Sequence, residues 1–318
     1  MDIRKYRMVE KYINNIINNY NIMVKLSIVY VARDDRYGDD YNVVEFAKND
    51  IRNNPNFSQN FTIKYNNIQR IKTSLDNNIQ LLDKYFTDNY EIIFIDWNPI
   101  NYQYLHSNTE LSNIFNKQNV KSIIVSNETI KKTQLNPNGF YEYYGKNVGI
   151  RHSNGNLILI SNPDEILTEE IVKEMNEKTD DHNKYYRCEY RIDVDHNLKE
   201  IARGASFPKN NIHDDEILGT PASGDFTLAA KHILIKMQGY YEVLSSGNEA
   251  TCDSTLIKKL YNNNIKPVML KGNILHLDHK KHTRTGGASN NTTTYENAES
   301  WGFNNYSLNK ITNNVFKI

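Results

Sequence analysis

Lys146-Asn147-Val148-Gly149-Ile150-Arg151-His152-Ser153-Asn154-Gly155-Asn156-Leu157-Ile158-Leu159-Ile160-Ser161-Asn162-Pro163-Asp164 is the stretch that decides the fold. Its second half is an apolar run, Leu157 to Ile160, that empties into Asn162-Pro163-Asp164. A short continuous run ending in a carboxylate predicts a buried parallel strand with polar residues at its C-terminal edge. Ligands of open α/β sheets collect at that edge. A carboxylate there suits a divalent cation, and the cation suits a diphosphate. The expectation that follows is a nucleotide-sugar enzyme.

Working outward, Val24 to Ala32 and Tyr90 to Ile95 read as further buried strands, the second ending in Asp96-Trp97-Asn98-Pro99. Val120 to Ser126 is another. Between them, helices are predicted over 41–54 and 74–86, the latter capped by Thr73 or Ser74, with a short extended piece over 61–65. Apolar residues at helical spacing also predict a helix over 2–23. This alternation favours a layered, mostly parallel α/β sheet. Beyond Asp164 the pattern gives a helix over 168–178 capped by Thr168 and a strand over 185–194. It also gives an extended piece over 225–229, a helix over 253–261, and two short strands over 267–270 and 274–277. From Lys280 the chain turns polar, with Gly286-Gly287 and a threonine run, and reads as a mobile loop and tail over 281–318.

The bulk composition excludes several classes. Lys plus Arg and Asp plus Glu are 38 each among 318 residues. That balance leaves no electrostatic footprint for nucleic acid or an anionic membrane. No run approaches the roughly 20 apolar residues of a transmembrane helix, and the N-terminus lacks a secretory pattern. Cys188 and Cys252 make neither a disulfide framework nor a zinc spacing, which favours a reducing, cytoplasmic setting.

Four blocks, in order, carry a resemblance. They are Val31-Ala32-Arg33-Asp34-Asp35 with Gly38, Ile93 through Pro99, Lys146 through Asp164, and Ala222-Ser223-Gly224-Asp225-Phe226-Thr227-Leu228 with Gly239-Tyr240. Together, from about residue 25 to about 280, they resemble GT-A-fold glycosyltransferases related to the large inverting family that uses nucleotide sugars. The resemblance implies a GT-A, Rossmann-like sheet with a smaller mixed sheet on the acceptor side. It also implies an N-terminal helix (1–24), a nucleotide-sugar half (25–165), an acceptor half (166–280) and a C-terminal tail.

Residue by residue, Ala32, Arg33, Asp34 and Asp35 fall where base and ribose would be gripped, carboxylates suiting ribose hydroxyls or a uracil N–H. Asp96 would read the base. Asn147 and Arg151 run beside the nucleotide, and Arg151 would neutralise phosphate or position Asp164. Asn162-Pro163-Asp164 stands in place of the Asp-x-Asp metal motif, with an amide at the first position. Asp164 with water and diphosphate can still hold Mn²⁺ or Mg²⁺. His276 matches the late histidine that completes such a site, and His279 is the other choice; Glu165 reads as solvated or as a helix start. Inverting transfer needs a general base for the acceptor hydroxyl. Asp253 is preferred to Asp225, which would line the donor sugar or acceptor. The expected partners are a nucleotide-sugar donor, first of all a UDP-sugar, and a glycan or other hydroxyl acceptor. A non-catalytic nucleotide-sugar-binding protein and a nucleotidyltransferase are the alternatives, the latter lacking its Gly-rich phosphate loop.

Overall fold

The computed structural model describes residues 24–34, 41–42, 62–63, 66–99, 103–179, 181–203, 225–242, 252–279 and 296–318. The helix expected over 2–23, Asp35, and the basic loop after Lys280 lie outside these residues. In chain order the strands and helices begin with β1 (Leu26–Ala32), β2 (Tyr41–Asn42), β3 (Thr62–Ile63), α1 (Asn67–Phe86), β4 (Tyr90–Trp97), α2 (Ser112–Phe115), β5 (Val120–Val125), α3 (Asn127–Lys131) and α4 (Glu142–His152). There follow β6 (Leu157–Ser161), β7 (Glu165–Leu167), α5 (Glu169–Glu177), β8 (Tyr185–Val194), β9 (Glu200–Arg203), β10 (Phe226–Ala230), α6 (Lys231–Lys236), α7 (Cys252–Asn262), β11 (Pro267–Leu277), β12 (Asn309–Lys310) and β13 (Val315–Lys317).

The fold is mixed α/β around one large sheet, ordered β12-β13-β5-β4-β1-β6-β10-β8-β11-β7, with β9 on β8. From β13 to β6 the neighbours run parallel. Antiparallel β10 then joins this block to β8, and β8 and β11 are parallel to each other. The mixed strands expected as a separate acceptor-side sheet are therefore continuous with the parallel block, because β10 bonds both β6 and β8. Residues 41–42, expected to begin a helix, instead pair antiparallel with Thr62–Ile63.

Apolar burial explains the centre. Strands β1, β4 and β6 are buried almost throughout, so both faces must be covered. Helix α4 lies against β1 through Gly145 and Gly149. A Cβ on either would come within 2.5 Å of Val31 Cγ1 and 2.2 Å of Val29 Cγ1, respectively. Helix α1 starts earlier than expected, at a capping box: Asn66 Oδ1 accepts from Gln69 N at 2.8 Å, and Gln69 Oε1 accepts from Asn66 N at 3.2 Å. Its buried Ser74 donates to the Pro163 carbonyl. Asn78 donates to the Glu165 carbonyl at 2.8 Å and accepts from Leu167 N at 2.7 Å. One polar row on α1 thus fixes the chain on both sides of Asp164.

Two other expectations are corrected. Residues 267–277 form one strand and not two; its register shifts between Leu270 and Asn273. Gly272 sits there at φ +106°, backing onto Ile171 N, a conformation that favours glycine. Residues 296–318, expected as loose tail, are packed: Trp301 and Phe303 join the core and β13 extends the parallel block beyond β5. Their polar neighbours mask two large aromatics that have apolar area to bury.

Candidate active site

The chain leaves β6 at Ser161 and turns through Asn162-Pro163-Asp164 into β7, with Glu165 N donating to the Asn162 carbonyl at 3.1 Å. The Asp164 carbonyl accepts from Leu277 N at 3.0 Å, which brings the end of β11 beside it. His279 Nε2 then lies 3.1 Å, and His276 Nε2 3.8 Å, from Asp164 Oδ2. One ligand atom from each of the three lies within 4.8 Å of the others, and both imidazoles are buried. Burial pushes the Asp164 carboxyl up, but the His279 hydrogen bond and the neighbouring positive groups outweigh it and hold it well below the usual range. An ionised carboxylate and two imidazoles converging on one point fit a divalent transition-metal ion better than Mg²⁺, which prefers oxygen alone. His276 and His279, weighed as alternatives, stand together here.

Asp193, His276 and Asp278 form a second close group. There, however, Arg191 Nη2 lies 3.2 Å from His276 Nδ1 and Arg191 Nε donates to Asp193 Oδ1 at 3.0 Å. A guanidinium in that position opposes a cation, so the Asp164 group is the candidate centre.

A polar ladder crosses the sheet edge beside it. Lys146, fully buried on α4, pairs with Glu142 and donates to Asn162 Oδ1 at 3.0 Å. Asn162 Nδ2 donates to Asp225 Oδ1 at 2.7 Å, and Asp225 Oδ2 accepts from Arg191 Nη1 at 2.6 Å. Residue 162 must therefore accept on one side and donate on the other. An amide does both, whereas a carboxylate would face Asp225 with like charge. An amide is therefore the side chain that fits position 162. Burial pushes Asp225 up, but Arg191, His276 and Lys146 together outweigh it and hold its carboxyl below the ordinary range. With both oxygens engaged and its proton affinity lowered, it is a poor general base.

Glu165 corrects an expectation. Far from solvated, it is fully buried on β7, register partner of His276. Among the described residues neither carboxylate oxygen has a hydrogen-bond partner, and burial, with the charge of Asp225 next, pushes its pKa well up.

Among the expected nucleotide residues, Ala32 ends β1 opposite Asp96, and Asp34 is half-buried just beyond. Arg33 donates to the Asn138 carbonyl at 3.0 Å and lies over the Phe140 ring. Asp96 is fully buried; it accepts from Leu105 N at 3.1 Å and from His106 N at 2.9 Å, organising the turn after β4. Asn147 clamps backbone, donating to the Tyr240 carbonyl and accepting from Tyr240 N, both at 2.8 Å. Arg151 lies 3.8 Å above the Trp301 ring and donates to the Trp301 carbonyl at 2.6 Å.

Asp253 is partly exposed in the first turn of α7, within the helix and not at its cap. Its charge reaches Tyr240, whose hydroxyl is pushed up to about 12, chiefly by burial. The Tyr240 ring itself lies 5.8 Å from Lys146 Nζ. Sequence reasoning missed the roles of Lys146, Arg191 and Asp193. The last two carried a signal, since Arg187, Glu189, Arg191 and Asp193 alternate along one face of a strand.

Among the described residues, no helix is long and apolar enough to cross a membrane. No family model matches the chain, and no curated protein does. Among solved structures it is similar to TarS of S. aureus, at 14% identity and TM-score 0.46 over 80% of this chain and 37% of that one. It is also similar to TarS 1–349 in complex with UDP-GlcNAc, at 13% identity and TM-score 0.46 over 83% of this chain and 61% of that one. A mannosyltransferase from Pyrobaculum calidifontis, in complex with GDP-Man and Mn²⁺, is similar at 11% identity and TM-score 0.44 over 78% and 56%. The chain thus spans 37% to 61% of the length of these three structures.

Proposed function

We propose that this protein transfers a sugar from a nucleotide-diphosphate donor, first of all a UDP-sugar, to a glycan or other hydroxyl acceptor, with inversion. The observation that carries this reading is the meeting of Asp164, His276 and His279 at the C-terminal edge of β6, where open α/β sheets bind their ligands. Asp164, His276 and His279 would hold a divalent cation, Mn²⁺ in preference to Mg²⁺. When bound, the cation supplies positive charge against the diphosphate leaving group.

The chain's own groups account for the rest. Burial pushes Lys146 down, but Glu142, Tyr240 and Asp225 together outweigh it and keep it protonated, so it adds fixed positive charge beside Asn162. Asp253, partly exposed in the first turn of α7, takes the acceptor hydroxyl proton as the oxygen attacks the sugar C1. Asp225 holds Asn162 and Arg191 in place and does not move a proton. Arg33, Asp34 and Asp96 frame the end of β1 and β4 where the base would lie.

The test is UDP release from a panel of UDP-sugars with Mn²⁺, run on the wild type and on Asp253→Asn. The variant should lose transfer while donor binding stays nearly intact. Turnover that survives puts the base elsewhere. Donor binding without turnover across the panel, in the wild type, replaces the enzyme reading with a nucleotide-sugar-binding protein.

A further inference from the structure

His276 has its two ring nitrogens in different surroundings. Nδ1 lies 2.9 Å from Asp193 Oδ1, while Nε2 is directed to the side of Asp164, 3.8 Å from Oδ2. The first contact is built into the sheet: Asp193 and His276 are register partners on adjacent parallel strands β8 and β11, so their side chains leave the same face. Both are almost fully buried. Asp193 is anchored in turn by Arg191, which Asp225 fixes from the other side at 2.6 Å.

That geometry selects a tautomer. An unprotonated nitrogen facing a carboxylate oxygen at 2.9 Å would set two lone pairs against each other, so Nδ1 must carry the hydrogen. Arg191 Nη2 also approaches Nδ1, at the longer distance of 3.2 Å, while Arg191 Nε and Nη1 donate to Asp193 and Asp225; the shorter Asp193 contact decides the tautomer, and Nη2 then makes no hydrogen bond to Nδ1. With the hydrogen on Nδ1, the Nε2 lone pair faces Asp164 and His279. The 3.8 Å from Nε2 to Oδ2 is too long for a hydrogen bond and suits two ligands of one ion.

We propose that Asp193 is a positioning residue that fixes His276 as the Nδ1–H tautomer, so that Nε2 is offered to a divalent cation shared with Asp164 and His279. This rests on the cation centre of the proposed function. Arg191 contributes by holding Asp193 in its rotamer, and the charged row along β8 becomes the outer support of the centre.

Removing an outer carboxylate from a metal-bound histidine typically weakens metal binding about 10–100-fold. The test is a Mn²⁺ titration of the full chain, without nucleotide, read from the electron paramagnetic resonance signal of the free ion. Asp193→Asn should raise the Mn²⁺ Kd by about 10–100-fold while the protein keeps its fold by circular dichroism. An unchanged Kd in the folded variant overturns the proposal, since a merely structural ion pair would alter the melting temperature alone. Independently, ¹⁵N-histidine NMR of the metal-free wild type should give His276 as Nδ1–H. An Nε2–H tautomer overturns the proposal even if the variant fails to fold. A wild type that shows Nδ1–H yet binds no Mn²⁺ instead removes the cation centre itself, and the proposal with it.

Discussion

The two sides of β6 are built from different materials. On one side, β1, β4 and β5 are mostly apolar, with Ser27, Glu91, Asp96, Lys121 and Ser122 their few polar residues apart from tyrosines. On the other, β8, β11 and β7 carry Arg187, Arg191, Asp193, His276 and Glu165, four of them nearly or fully buried. The first side is held by burial of area, which tolerates many sequences. The second is held by charges that must match one another, because a buried ion without its partner is costly. The contrast separates a frame from a site within one continuous sheet.

The sharpest way to break that contrast is at its hinge. Asp164→Ala removes the carboxylate of the candidate centre among the described residues, and Mn²⁺ affinity should fall by more than about 100-fold, beyond the loss of an outer partner. Isothermal titration with Mn²⁺ reads it; binding within a few-fold of wild type would mean that Asp164 is not a ligand of the centre. Next comes a matched pair, one substitution from each side. Arg191→Met leaves Asp193 and Asp225 without their guanidinium and should cost about 3–5 kcal/mol. Ile160→Ala opens a cavity in the apolar side and should cost about 2–5 kcal/mol. Urea unfolding of both variants compares them directly, and a near-neutral Arg191→Met would show that the charged face is not a structural unit.

The smallest effect sharpens the comparison from the apolar side, at a carboxyl on its rim. Glu242 Oε1 accepts from Asn147 Nδ2 at 2.9 Å and Gly302 N at 2.7 Å, and burial raises its pKa from 4.5 to about 7. Between those values the unfolded chain has released a proton that the folded chain keeps. Stability from this group is therefore complete below about pH 4.5 and declines as pH rises through 7. The decline should be on the order of 1–3 kcal/mol. Glu242→Gln should flatten it, as read from urea midpoints at pH 5 and pH 7.5; an unaltered slope assigns the dependence to another group.

The frame was largely legible in the sequence because continuous β-branched runs such as Leu157–Ser161 have few other places to go. What stayed hidden was hidden for local reasons. The start of α1 rests on Asn66 and Gln69 in an asparagine-rich stretch, where a cap looks like any other asparagine. Lys271-Gly272-Asn273 reads as a break between strands, and only the packing of Gly272 on α5 makes it a bulge. The candidate site was legible at Asp164 and His276, which lie at strand ends. Asp193 was not, because a period-two row of charges also describes an exposed strand face. Whether such a face is solvated or internal depends on what covers it, and that is set by pairings across some eighty residues of sequence.

The C-terminal segment has a consequence for how the sheet is completed. Strand β5 would otherwise be an open parallel edge, a template for any extended chain that meets it. It is closed by residues 315–317, and the Ile318 carbonyl accepts from the Ser126 and Thr129 hydroxyls across sequence separations of 192 and 189 residues. Contacts that distant are entropically slow to form. The frame that is most robust once assembled is therefore also the part whose edge stays sticky longest while the molecule folds.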